Sequence, residues 1–134
     1  MSFKVLIADD EEDLVDVLRD RLEAYGFTVL TASTGREALE KLLAEQVDGV
    51  FLDIKMPELD GLAVVDAIRR QDQTMPIIIV SASSYPHAAT DALARGANAY
   101  IQKPFAWETL LATIEQLYHI TLRRAPCHPC VRVS

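Results

Sequence analysis

The sequence predicts an α/β fold, a doubly wound, five-stranded parallel sheet with helices on both faces. Three observations predict it. Short apolar runs alternate strictly with longer amphipathic stretches, five of each. The runs are nearly continuous in apolar residues, as strands buried on both faces require. Strand–helix–strand alternation joins parallel neighbours through right-handed crossovers. With 134 residues, half of them hydrophobic, the chain is long enough for one sizeable core.

The elements follow in order. Residues 3–8 (FKVLIA) form the first predicted strand. The stretch 11–26 carries Leu14, Val15, Leu18, Leu22 and Tyr25 at helical spacing, and Gly26 stops it. Residues 27–32 (FTVLTA) are the second strand, and 34–46 place Ala38, Leu39, Leu42 and Leu43 on one helical face. Residues 48–53 (DGVFLD) are a strand that ends in an acid. A turn at Met56-Pro57 and Asp60-Gly61 leads into a third helix that runs to about residue 72. Residues 75–83 hold the longest β-branched run, 87–97 an Ala-rich helix whose main large anchor is Leu93, and 98–105 a short strand and turn. The last helix, 106 to about 122, sets Trp107, Leu110, Leu111, Ile114, Leu117 and Tyr118 on one side. Domain organisation is therefore expected to be one domain over 1–122. Residues 123–134, with two prolines and no apolar periodicity, read as a disordered tail or linker.

Bulk composition narrows the function. A net charge of −7 argues against sequence-independent binding of nucleic acid, which needs a positive footprint. No apolar run approaches the roughly 20 residues of a membrane span. The start MSFKVLIADD lacks the pattern of a signal peptide. The expectation is a cytoplasmic chain with no nucleic-acid or membrane partner for this domain. Cys127 and Cys130, in the motif CHPC, give no disulfide framework for the body of the fold. Too few further ligands accompany them for a closed zinc site. They read as incidental members of the tail, with an oxidised pair or a metal bridge between two chains as alternatives. His87, His119 and His128 have no partners at catalytic spacing and read as surface or tail residues.

Chemistry is expected at the carboxyl ends of the strands, where open parallel sheets bind ligands. Asp9 and Asp10 follow the first strand, Asp53 the third, Ser81 closes the fourth, and Lys103 with Pro104 follows the fifth. Taken alone, Asp9 and Asp10 read equally as acids at a helix start; Glu11, Glu12 and Asp13 keep that reading, with tuning of metal affinity by one of them as the alternative. Three clustered carboxylates stay ionised only beside positive charge. Oxygen donors suit a hard cation such as Mg²⁺. A lysine and a hydroxyl opposite complete a cradle for a tetrahedral anion, the set that phosphoryl transfer uses. Carboxylates also act as nucleophiles that form aspartyl-phosphates.

These residues carry a resemblance. The pair Asp9-Asp10, FLDIKMPELDG around Asp53, IIIVSA with Ser81, and YIQKPF with Tyr100, Lys103, Pro104 and Phe105 resemble the receiver domain of two-component response regulators. The resemblance covers residues 3 to about 122. It implies the flavodoxin-like strand order 2-1-3-4-5 and a cis bond before Pro104. It also implies that Asp53 is the phosphoacceptor, supplied by a sensor histidine kinase or histidine phosphotransfer protein. Asp9, Asp10, Asp53 and the backbone carbonyl of Lys55 would ligate Mg²⁺, with Mn²⁺ as the alternative. Ser81 and Lys103 would hold the phosphoryl group, with Lys55 and Ser83 flanking the site. Ser81 and Tyr100 would be the switch, acting on the surface formed by about 86–95, 98–101 and 106–122. A downstream protein or fused output domain would read that surface, and homodimers would use the face with the last helix.

Three other readings compete. Aspartyl-phosphate hydrolases need a second acid two residues after the nucleophile, where Lys55 stands. A flavin-nucleotide binder of the same topology needs a neutral phosphate loop, and Asp9 to Asp13 would repel the phosphate. A receiver-like scaffold that is never phosphorylated would not need the full reactive set.

Overall fold

A computed structural model describes residues 3–82 and 87–122. Strands β1 (Lys4–Ala8), β2 (Thr28–Ala32), β3 (Gly49–Leu52), β4 (Ile77–Ser81) and β5 (Ala99–Gln102) alternate with helices α1 (Glu12–Ala24), α2 (Gly35–Ala44), α3 (Gly61–Gln71), α4 (Ala88–Arg95) and α5 (Trp107–Tyr118). All strand pairs are parallel, in the order β2-β1-β3-β4-β5. The expected fold class, order included, is the observed one.

Alternation along each strand builds two cores. Leu6, Val50, Leu52, Ile77 and Ile79 face α2, α3 and α4, where Val64, Val65, Ala38 and Ala92 meet them. Val5, Ile7, Phe51, Ile78, Val80 and Ile101 face α1 and α5, against Leu18, Leu22, Leu110 and Ile114. Each such aliphatic side chain, when fully buried, contributes about 1.5–3 kcal/mol, so both layers hold the central strands fixed. Their ends are therefore rigid mounts.

Helices α2 and α3 start where side chains satisfy their free N–H groups. Thr34 accepts from the Glu37 amide at 3.0 Å, and Glu37 accepts in turn from the Ser33 amide at 2.9 Å. Asp60 accepts from the Ala63 amide at 2.9 Å. The far end of the fold is pinned by Arg69, whose guanidinium donates to the Gly96, Asp72 and Met75 carbonyls and to Asn98.

Three sequence expectations need correction. Leu93 is not the anchor of α4, because it is 47% exposed; Ala88 and Ala92 fill the contact. Small residues let α4 sit close to the sheet, so no room is left for a leucine beneath it. Leu43 lies off the buried face of α2, at 75% exposed. The last helix ends at Tyr118 rather than near 122, because His119 turns left-handed (φ 56°) and redirects the chain, so that Leu122 still reaches the core. Expectations for Ser83, for the start of the fourth helix before residue 87, and for the tail with Cys127, His128 and Cys130 lie outside the described residues.

Candidate functional site

The sheet's hydrogen bonds continue one step past β1, β3 and β5 and fix the first residue beyond each. The Asp9 amide donates to Ala32 (3.0 Å), the Asp53 amide to Ala8 (2.9 Å) and the Lys103 amide to Ser81 (2.9 Å). Three of the predicted residues are thus placed by backbone pairing before any side chain acts. Asp9, Asp53 and Ser81 are the buried polar residues among those described.

The side chains converge. One carboxylate oxygen from each of Asp9, Asp10 and Asp53 lies within 4.8 Å of the others. Lys103 Nζ is 2.7 Å from Asp9 Oδ2 and 3.6 Å from Asp53 Oδ2. The Lys103–Pro104 bond is cis, as the resemblance implies. The Ser81 hydroxyl lies beside both the Asp53 carboxylate and the Tyr100 phenol and pulls each below where burial alone would set it. Asp53, Ser81 and Tyr100 therefore stand side by side across β3, β4 and β5. Tyr100 is half-buried against the core on the α3–α4 side. Lys55 is exposed in the loop after β3, and His87 and His119 are exposed as expected.

Electrostatics follow from that packing. Burial raises the Asp53 carboxyl above its ordinary value, and the neighbouring charge of Asp9 raises it further. Lys103, the Ser81 hydroxyl and the Ile54 amide pull it back without cancelling the rise. For Lys103, burial pushes downward, but the hydrogen bonds to Asp9 and Glu11 outweigh it and the net direction is up. Burial likewise raises the Tyr100 phenol. A buried carboxylate beside a second carboxylate is short of positive charge. Oxygen-only donors around it suit a hard divalent cation, so the residues present fit Mg²⁺.

Two features escaped the sequence reading. Glu11 is not simply a first-turn charge: its Oε1 lies 2.7 Å from Lys103 Nζ. The signal was available in the alternation, since Ile7, Asp9 and Glu11 share parity and Glu11 is still extended (φ −88°, ψ 97°). Gly61 is more than turn chemistry. A Cβ there would overlap the carbonyl oxygen of Asp53 and stand 2.9 Å from its carbonyl carbon, so α3 begins in direct contact with the backbone of Asp53. No local pattern marks that contact.

The comparisons agree with this geometry. The family described as "Response regulator receiver domain" matches residues 5–115. The alkaline phosphatase synthesis transcriptional regulatory protein PhoP of Bacillus subtilis is 36% identical over 126 residues, covering 94% of this chain and 52% of PhoP. The response regulator SaeR of Staphylococcus aureus is 38% identical over 113 residues, covering 84% of this chain and 49% of SaeR. The chain spans about half the length of these curated relatives. Among solved structures, the receiver domain of the Francisella response regulator 1452 superposes with a TM-score of 0.81 at 31% identity, covering 87% of this chain and 97% of that one. The Thermotoga maritima response regulator TrrA, solved in complex with Mg²⁺-BeF, gives 0.78 at 33% identity, covering 86% and 98%. Among the described residues, no helix is long and apolar enough to cross a membrane.

Proposed function

Since this chain belongs to the response regulator receiver family of two-component systems, we propose that it is a phosphorylation-controlled switch in which Asp53 accepts the phosphoryl group. The convergence of Asp53 with Asp9, Asp10 and Lys103 at one end of the sheet carries this reading. An Asp53 carboxylate oxygen attacks phosphorus of a phosphohistidine. The O–P bond forms, the N–P bond breaks with its electron pair going to nitrogen, and the ring, already protonated on its other nitrogen, leaves as neutral imidazole. Lys103 offers a compact positive charge to the phosphoryl oxygens, and Ser81 turns its hydroxyl from the carboxylate to one of them. Asp9, Asp10, Asp53 and the Lys55 carbonyl would hold Mg²⁺, or Mn²⁺ in its place. When bound, that ion neutralises charge on the transferring group.

The consequence is a conformational signal rather than turnover of a diffusible substrate. Self-catalysed transfer and autodephosphorylation are the only chemistry in this reading. Ser81 lies beside both Asp53 and Tyr100 and bears on each. Moving Ser81 toward a phosphoryl group changes what Tyr100 meets and hence the α4–β5–α5 surface. A downstream protein or fused output domain reads that surface, with residues 123–134 as the tail or linker toward it. A groove of about 550 Å³ lined by Leu14, Val17, Leu18, Phe105 and Trp107 runs up to Lys103. Its apolar floor, which ends at the Lys103 that faces Asp53, suits the phosphodonor protein, a sensor histidine kinase or histidine phosphotransfer protein. Exposure to acetyl phosphate with Mg²⁺ is expected to add a labile mass of about 80 Da. The adduct should vanish in Asp53→Asn, and equal labelling of that variant would refute Asp53 as the acceptor.

A further inference from the structure

Glu11 stands at the N-cap position of α1, yet its carboxylate caps no helix N–H. It lies 2.7 Å from Lys103 Nζ instead. The same ammonium is 2.7 Å from Asp9 and 3.6 Å from Asp53. An ammonium has three donors. Two are committed to Asp9 and Glu11, and Asp53 lies beyond hydrogen-bond length. A phosphoryl group on Asp53 brings charge and strong acceptor oxygens to this ammonium; one donor is free for them, but drawing the ammonium toward the new anion lengthens its contact with one present partner. Asp9 is 4% exposed, and its other oxygen accepts from the Glu11 amide at 2.9 Å. Releasing Asp9 would strand a buried charge, which is costly. Glu11 is 61% exposed, and water replaces its contact at little cost.

We propose that Glu11 is a positioning residue, an internal stand-in for the phosphoryl anion. It holds Lys103 away from Asp53 in the unmodified chain and releases it when the anion arrives. Glu11 thereby sets how readily the site accepts and keeps a phosphoryl group. This role rests on Asp53 being the phosphoacceptor.

The test is a titration of the full chain with beryllofluoride in Mg²⁺, read as bound fluoride by ¹⁹F NMR. Glu11→Gln keeps the size and removes the charge. It is expected to bind about twofold to fivefold more tightly at low salt, the scale of one exposed ion pair. The gain should shrink at high salt and disappear in a Lys103→Met background. Glu12→Gln makes the same charge change one residue on and should stay within about twofold of wild type. Equal or weaker binding by Glu11→Gln, or a gain that survives without Lys103, overturns the role. Asp53-dependent binding in wild type with no effect of Glu11→Gln overturns Glu11 alone. Binding that ignores Asp53→Asn overturns the phosphoacceptor reading itself.

Discussion

Replacing Lys103 by Met is expected to destabilise the metal-free chain by about 3 kcal/mol at neutral pH, the scale of removing one partner from a buried ion pair. Met keeps the apolar stem and removes only the charge. The side chains involved are largely buried, at 11% exposed for Lys103, 4% for Asp9 and 9% for Asp53. Two carboxylates would then face each other without a cation. The pH dependence has a definite sign. Asp53 is raised in the folded chain above its ordinary 3.8, so the folded state holds a proton that the unfolded state has already lost. That contribution is complete below 3.8 and fades as pH rises through the folded value. Loss of Lys103 raises Asp53 further and extends the window upward. The gap between variant and wild type should therefore narrow on acidification. Lys103 is raised above its ordinary 10.5, so its contribution is intact at neutral pH and is lost only in strong alkali. Saturating Mg²⁺ should restore much of the variant's stability, since binding to the folded state adds directly to it. Urea unfolding in EDTA and in Mg²⁺, at several pH values, measures all three effects. A variant as stable as wild type in EDTA at neutral pH would mean that Lys103 does not offset these charges.

Gly61→Ala is expected to cost about 2 kcal/mol or more, the scale of forcing an atom into a packed site. Helix propensity favours alanine over glycine by at most about 1 kcal/mol, so the clash decides the sign. The obstacle is the backbone of Asp53 and Ile54, which cannot rotate aside as a side chain can. Relief requires α3 to draw back, which breaks the hydrogen bond from the Gly61 amide to the Ile54 carbonyl (2.8 Å). The same movement shifts Asp53, so acetyl phosphate labelling should fall along with stability. Gly26→Ala is the control. Gly26 has a positive φ of 93° but open space around it. That variant is expected to lose about 1 kcal/mol from backbone strain while labelling at the normal rate. Similar labelling by both variants would show that the start of α3 does not position Asp53.

The legible part of this molecule was whatever chain direction and periodicity determine. Parallel strands place the residue after each strand at one end of the sheet, so Asp9, Asp53 and Lys103 could be grouped with no knowledge of side-chain contacts. Burial patterns located α1 and α5 well because large residues repeat along one face. They failed on α4, where alanines make the contact and the one leucine points outward. Small residues pack by shape, and a hydrophobicity pattern does not weigh shape. Glu11 was hidden inside a run of five acids; only the observed extended backbone separates it from Glu12 and Asp13, which lie in the first turn of α1. Gly61 was hidden because its constraint comes from Asp53, a neighbour across the β3–α3 loop rather than along a helix or strand. The left-handed turn at His119 left no mark in the periodicity of the last helix.

The most direct test of the central claim is to locate the modified residue. The chain is treated with acetyl phosphate and Mg²⁺, reduced with borohydride, digested and mapped by mass spectrometry. Borohydride reduces an acyl phosphate to an alcohol, so a phosphorylated aspartate becomes homoserine, about 14 Da lighter. The account predicts homoserine at position 53 and none at Asp9 or Asp10. Homoserine at either of those positions, or an unreduced Asp53 in a chain that carries the adduct, would contradict it.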